Sequence, residues 1–281
     1  MICQTLRPYS FAEINRALMT EILAIANQKG GVGKTTTAVN LAASLAVLKK
    51  RVLLIDLDPQ GNTTMGSGVQ KNELNFSAAD VLLEDAPVEA TVLTTKTGYK
   101  LIGSNRELAG VELALAEKNR REYVLKDALN RIAAAYDYIL IDCAPSLNLI
   151  TINALCAADG VIIPMQCEYY ALEGLADLSN TIDRINQSLN PNLQITGVLR
   201  TLFDPRNTLT NDVSNELISH FGDKVFDTVI PRNIRLAEAP AHGMPILSYE
   251  KSSKGAIAYL NLAAELVKKT KKQKMMQGKT A

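Results

Sequence analysis

The sequence predicts a doubly wound α/β domain, a single, mostly parallel twisted sheet with helices on both faces. Three observations predict it. Short runs that are apolar throughout alternate with helix-like stretches along most of the 281 residues. Strands apolar on both sides belong to a parallel sheet covered on both faces, and the intervening helices supply the crossovers. A glycine-rich loop follows the first apolar run and opens the first helix, the place a phosphate-binding loop occupies in such a sheet. The composition agrees. With 47% hydrophobic and 21% charged residues the chain can bury a full core, which excludes disorder, collagen and coiled coil.

Taken in order, Glu21–Asn27 (EILAIAN) reads as the first strand and Lys34–Lys49 as an amphipathic helix. Arg51–Leu57 (RVLLIDL) is the second strand and Tyr99–Gly103 a short third. Residues 63–98 between them are the least regular part. Arg106–Ala135, rich in Ala, Leu, Glu and Arg, reads as helical. Tyr136–Cys143 (YDYILIDC) is a strand, followed by a helix over Leu147–Ala157. Gly160–Met165 is a strand and Ala171–Leu189 a helix. Leu193–Leu202 and Lys224–Ile230 read as further strands, separated by a helix over Thr208–Phe221. The last helix is expected over Lys254–Lys269.

Charge and composition exclude several functions. Lys and Arg number 30 against 29 Asp and Glu, so the chain as a whole is no polycation. Six lysines and no acid stand in the last fourteen residues, and this tail reads as a solvated, frayed terminus. There is no Trp, and aromatics are 5%, too few for a stacking platform on single-stranded nucleic acid. Cys3, Cys143, Cys156 and Cys167 contain no CxxC pair and read as reduced structural thiols. His220 and His242 stand beside no nucleophile or metal-like cluster. No apolar run reaches the ~18 residues of a membrane helix, and residues 1–21 are too polar for a signal peptide. The expected organisation is an N-terminal extension over 1–18, a phosphate-loop domain over 19–267 and a lysine-rich tail over 268–281.

Three motifs carry chemistry. In Asn27-Gln28-Lys29-Gly30-Gly31-Val32-Gly33-Lys34-Thr35-Thr36, glycines let backbone N–H groups turn inward around phosphate oxygens, and the helix start adds its positive end. Lys34 would reach the outer phosphates and the Thr35 hydroxyl would ligate Mg²⁺. The motif departs from GxxxxGK[ST], because Gln28 takes the first glycine position and Lys29 follows it. One lysine already serves the phosphates. A second at the loop entrance either touches a partner's nucleotide, as an arginine finger does, or only raises the local potential. The second motif is Asp56-Leu57-Asp58-Pro59-Gln60-Gly61-Asn62 at a strand's carboxyl end, where ligands bind in open α/β sheets. Two carboxylates two residues apart point the same way, one for the metal's surroundings and one to position a water. The third is Ile139–Ser146 (ILIDCAPS), an apolar run ending in Asp142, which looks like a Walker B acid holding Mg²⁺ directly or through water.

Through KGGVGKTT, DLDPQGN, LIDCAPSL, EYYALEG and IPRNIRLAEAP, the chain resembles the ParA/Soj partition ATPases of the deviant Walker A group, which includes MinD. The resemblance runs from about Met19 to Leu266. It implies ATP and Mg²⁺ as ligands and ATP hydrolysis as the activity. It assigns Lys29 to the partner's phosphates in an ATP-bound homodimer, Lys34 and Thr35 to phosphate and metal, and Asp58 to the attacking water. Asp56 would lie near the metal and Asp142 would be Walker B. Gly30, Gly31, Val32, Gly33 and Thr36 complete the loop, and Pro231 and Asn233 fall where adenine is held. Arg206 and Arg235 match arginines that contact the backbone of non-specific double-stranded DNA, with Lys254 as a further candidate.

The implied function is a partition switch, cytoplasmic and nucleoid-associated, whose dimer leaves DNA when a ParB-like centromere-binding partner stimulates hydrolysis. Net charge gives this no independent support. Two alternatives stay open, a related ATPase positioning another cargo on the nucleoid and a MinD-like membrane switch. No membrane anchor is expected, since beyond Val267 only Met275 and Met276 are bulky and apolar.

Overall fold

The computed structural model describes residues 20–277. Seven strands form one sheet: β1 (Glu21–Ile25), β2 (Val52–Leu57), β3 (Val92–Thr94), β4 (Lys100–Ile102), β5 (Tyr138–Cys143), β6 (Gly160–Gln166) and β7 (Gln194–Thr201). Their order is β3-β4-β2-β5-β1-β6-β7, and every pairing is parallel except β3 with β4. The doubly wound, mostly parallel architecture is therefore as expected.

Successive strand residues feed opposite cores. Ala24, Leu53, Ile55, Ile139 and Ile141 face one layer of helices. Leu23, Ile25, Leu54 and Leu140 face the other. The first layer includes α3 (Ala78–Leu83), α4 (Leu108–Ala116), α5 (Val124–Asn130), α6 (Leu149–Ala157), α7 (Ala171–Ser188) and α8 (Thr208–Phe221). Helix α7 shows why: Ala171, Leu175, Leu178, Ile182 and Ile185 recur on one face and are its buried residues. The second layer is α1 (Lys34–Val47) and α11 (Lys254–Gln277), with α9 (Ile234–Glu238) and α10 (Ile246–Tyr249) beside them. Short α2 (Asn62–Gly66) follows the tip of β2.

Four expectations are corrected. Arg106–Ala135 is not one helix, because the segment Glu117–Tyr123 (EKNRREY) has no apolar face, and Arg120 within it takes a left-handed φ of 55°. Lys224–Ile230 is not a strand. Only Val198 bridges to Val225 there, because both oxygens of Glu265 accept the amides of Asp227 and Thr228 at 2.8 and 3.0 Å. Those amides cannot also enter a ladder. The antiparallel edge strand β3 was not expected; three residues carry too little pattern to be seen. The lysine-rich tail does not fray after residue 267. Helix α11 continues through it to Gln277, with Thr270 buried and bonded to the Tyr138 hydroxyl at 2.7 Å. Lys274 pairs with Glu21 at 3.4 Å. The extension 1–18, with Cys3, lies outside the described residues, as does Lys279.

Candidate active site

The expected phosphate loop joins β1 to α1. Gly31 and Gly33 have φ of 74° and 86°, a region costly for any side chain, so the KGGVGK pattern is a backbone requirement. Gly33 is the N-cap of α1, and no side chain caps it. The N–H groups of the first turn thus remain for an anionic ligand. Val32 is buried, and its carbonyl accepts the Thr201 hydroxyl at 2.8 Å, which ties the loop to β7. Lys34 is buried too, and its Nζ donates to the Lys29 carbonyl at 3.0 Å. Burial lowers its pKa, against the opposing charges of Asp142 and Asp58.

The two buried acids meet through strand register. Parallel pairing of β2 with β5 sets Asp56 opposite Asp142. Asp142 Oδ2 accepts the hydroxyls of Thr35 at 2.8 Å and Thr63 at 2.6 Å. Asp56 Oδ2 accepts the Thr64 amide and hydroxyl, and its Oδ1 accepts the Asp58 amide. Burial pushes Asp56 up to about 6. Burial, then the neighbouring Asp56 charge, pushes Asp142 up to about 7.

These residues fit Mg²⁺. Asp142 Oδ1 is buried without a partner among the described residues, beside a second carboxylate and the Thr35 hydroxyl. Hard oxygen donors of this kind suit Mg²⁺, and an orphaned buried oxygen calls for a ligand. No group of three His, Cys, Asp or Glu among the described residues forms a protein-only metal cage. Mg²⁺ bound with substrate phosphates needs only one or two protein oxygens.

The raised acids make a prediction about metal-free protein. An acid whose folded pKa exceeds its unfolded value keeps its proton in the fold after the unfolded chain has lost it. Its stabilising share is complete below about pH 4 and is lost as pH rises through about 7. Asp142→Asn keeps the acceptor for Thr35 and Thr63 but carries no charge. In chelator at pH 8 it should be more stable than wild type by on the order of 2 kcal/mol, with no gain at pH 4. Denaturant titrations at both pH values check this; a variant less stable at pH 8 would overturn it.

Asp58 differs from its neighbours in being only half-buried. One of its oxygens accepts the Gln60 amide at 2.9 Å. Pro231 and Asn233 line a cavity of about 130 Å³ with Gly31, Gly33, Thr36 and Tyr259. Asn233 also caps α9, accepting the Leu236 amide. Gly30 is exposed at the loop's outer edge.

Lys29 takes a different partner from Lys34. It is about half exposed and pairs with Glu168 Oε2 at 2.5 Å. A pair this exposed is worth about 0.2–1 kcal/mol, so a phosphate can displace it. Glu168 opens the EYYALEG segment, whose Tyr169 and Tyr170 are largely exposed. Sequence reasoning missed the Glu168 and Thr63 contacts. The motif containing Glu168 was visible; the 79-residue separation of Thr63 from Asp142 left no signal.

The three residues matched to DNA contact are all exposed. Arg206 is 88% exposed and chelates Asp204 at 2.9 and 2.7 Å. Arg235 pairs with Glu238 at 2.8 Å. Lys254 is exposed and opens α11. Pro205, next to Arg206, shares a groove with Lys254 and Ile257. Arg235's helix packs so closely on the start of α11 that a Cβ on Gly255 would meet Leu236 at 2.6 Å.

Residues 20–195 match the family model described as an AAA domain. The chain is 52% identical over 249 residues to the chromosome partitioning protein ParA of Caulobacter vibrioides, covering 88% of this chain and 93% of that one. It is equally identical, over 249 residues, to the sporulation initiation inhibitor protein Soj of Bacillus subtilis, covering 88% of this chain and 98% of that one. Among solved structures it is similar to cobyrinic acid a,c-diamide synthase from Mycobacterium smegmatis with bound ADP and magnesium. There the TM-score is 0.78 and the identity 40%, with 89% of this chain and 94% of that chain covered. Half-identity to two such proteins along nearly their whole length decides the matter: this chain belongs to the ParA/Soj family of P-loop ATPases.

Proposed function

We propose that this chain is an ATP- and Mg²⁺-dependent partition ATPase whose ATP-bound homodimer grips double-stranded DNA without sequence preference. A ParB-like centromere-binding partner stimulates hydrolysis and releases the dimer, which places the protein in the cytoplasm on the nucleoid. The observation that carries the reading is Lys29. Lys34 already sits beneath the loop, so a second, half-exposed lysine on the loop's outer side has its use across a dimer interface. No helix among the described residues is long and apolar enough to cross a membrane.

The residues divide the work. The first-turn amides of α1 and Lys34 hold the phosphates. Thr35 and Asp142 hold Mg²⁺, Asp142 directly or through water, with Asp56 behind them. Mg²⁺, when bound, neutralises charge on the transferred phosphoryl group. Asp58, the acid open to solvent, orients water, and Pro231 and Asn233 flank adenine. Arg206, Arg235 and Lys254 meet DNA phosphates. Their local acids, Asp204 and Glu238, keep a single protomer's surface weakly positive, so pairing two protomers is what builds affinity.

Binding to random-sequence duplex DNA in ATP, in ADP and without nucleotide, at two salt concentrations, tests the reading. It should require ATP and weaken with salt. Arg235→Ala should flatten the dependence of log affinity on log salt by about 1 for each lost contact. Binding indifferent to nucleotide, or an unchanged slope in Arg235→Ala, would sink the DNA reading.

A further inference from the structure

Helix α11 presents one exposed stripe along its length. Lys254, Ile257, Asn261, Ala264, Lys268, Lys271, Lys272 and Met275 follow one another at three- and four-residue steps, and all are exposed. The stripe starts at a residue already assigned to DNA and ends in lysines with no assigned role. From Lys254 to Lys272 it spans about 27 Å at 1.5 Å per residue, most of one turn of a duplex.

We infer that Lys268, Lys271 and Lys272 form a second contact with the DNA phosphate backbone, collinear with Lys254. The inference rests on the DNA reading above and lengthens its site. Charge supports it. Between Lys254 and Gln277 the only acid is Glu265, which lies off the stripe with both oxygens taken by backbone amides. None of the three lysines forms an ion pair among the described residues, in contrast to Arg206 and Arg235. The nearby acids are Asp223 and Asp227, on the loop beside the helix. Lys269 is committed otherwise, donating to the Asp223 carbonyl and lying over the Phe226 ring.

Order supports it as well. The lysines do not stand on a loose tail, since Thr270 and Lys274, within the same two turns, bind Tyr138 and Glu21. A lysine row held on a packed helix loses less freedom on meeting phosphates than a coil would. The helix is unsuited to lipid. Its apolar face, with Leu262, Ala263 and Leu266, is already fully buried in the protein core. The stripe's two bulky apolar residues, Ile257 and Met275, are about 27 Å apart and form no patch that could insert.

The test is a triple variant, Lys268→Gln, Lys271→Gln and Lys272→Gln, with Arg at the same three positions as the conservative control. Affinity for random-sequence duplex is measured in ATP across a salt series, beside wild type and Arg235→Ala. The Gln variant should bind about tenfold or more weakly, with a salt slope shallower by about one per lost contact, while the Arg variant keeps the wild-type slope. Thermal unfolding should match wild type. A Gln variant whose affinity and slope superimpose on wild type overturns the inference and leaves the DNA reading intact. So does one that loses only binding to phosphatidylserine vesicles. Wild type failing to bind DNA in ATP overturns both.

Discussion

Asp58→Ala should retain ATP binding, dimerisation and ATP-dependent DNA binding while turnover falls by about 10²–10⁴, the share usual for a positioned acid–base group. The choice of Asp58 among three acids is a matter of access. Asp56 and Asp142 are fully buried; the Thr64 hydroxyl and two backbone amides occupy both oxygens of Asp56, and two threonine hydroxyls occupy Oδ2 of Asp142, whose Oδ1 is left for the metal. Neither has room for a reacting water and the metal's surroundings together. Asp58 lies two residues further along the same strand direction, half-buried, with the Gln60 amide steadying one oxygen. A fluorescent ATP analogue reads binding, and single-turnover hydrolysis reads chemistry. Wild-type turnover in Asp58→Ala would remove it from the site. Lost nucleotide binding would show that it holds the metal or the loop instead.

What the sequence could reveal depended on how local the physics was. The phosphate loop is legible because its chemistry is written in consecutive residues, with Gly31 and Gly33 demanded by positive φ and Lys34 by charge. The strands at Asp56 and Asp142 are legible because each is apolar up to its last polar residue. Their opposition is not legible. It comes from β2 pairing β5 across 86 positions, a fact of sheet order. Likewise Thr63 reaches Asp142, and Glu168 reaches Lys29, through the topology alone. The misread strand at Lys224–Ile230 failed for the same reason. Its apolar pattern is genuine, but Glu265, from a helix far along the chain, captures two of its amides. The tail misled in the opposite sense. Composition alone made 268–281 a solvated end, whereas Thr270 and Lys274 hold the helix to the first residues of the central strands β5 and β1.

Lys29→Ala should leave nucleotide affinity of the monomer nearly unchanged and lower steady-state turnover by about 10³–10⁵, the range for a charge supplied to the transition state from outside the site. Light scattering should show no ATP-dependent dimer. Fold stability should hardly change, since the only ion pair lost, with Glu168, is exposed and worth about 0.2–1 kcal/mol. Loss of turnover alone does not say which site the lysine serves, but mixing does. In a mixed dimer of Lys29→Ala with Asp58→Ala, a lysine acting across the interface leaves one site complete: the first protomer keeps Asp58 and receives Lys29 from the second. A lysine acting on its own nucleotide leaves neither site complete. Recovery of turnover on mixing two inactive variants, up to about half of wild type per mixed dimer since each carries one competent site, therefore assigns Lys29 to the partner's phosphates. No recovery, with mixed dimers present, would return Lys29 to its own loop, where its charge serves only to raise the local potential.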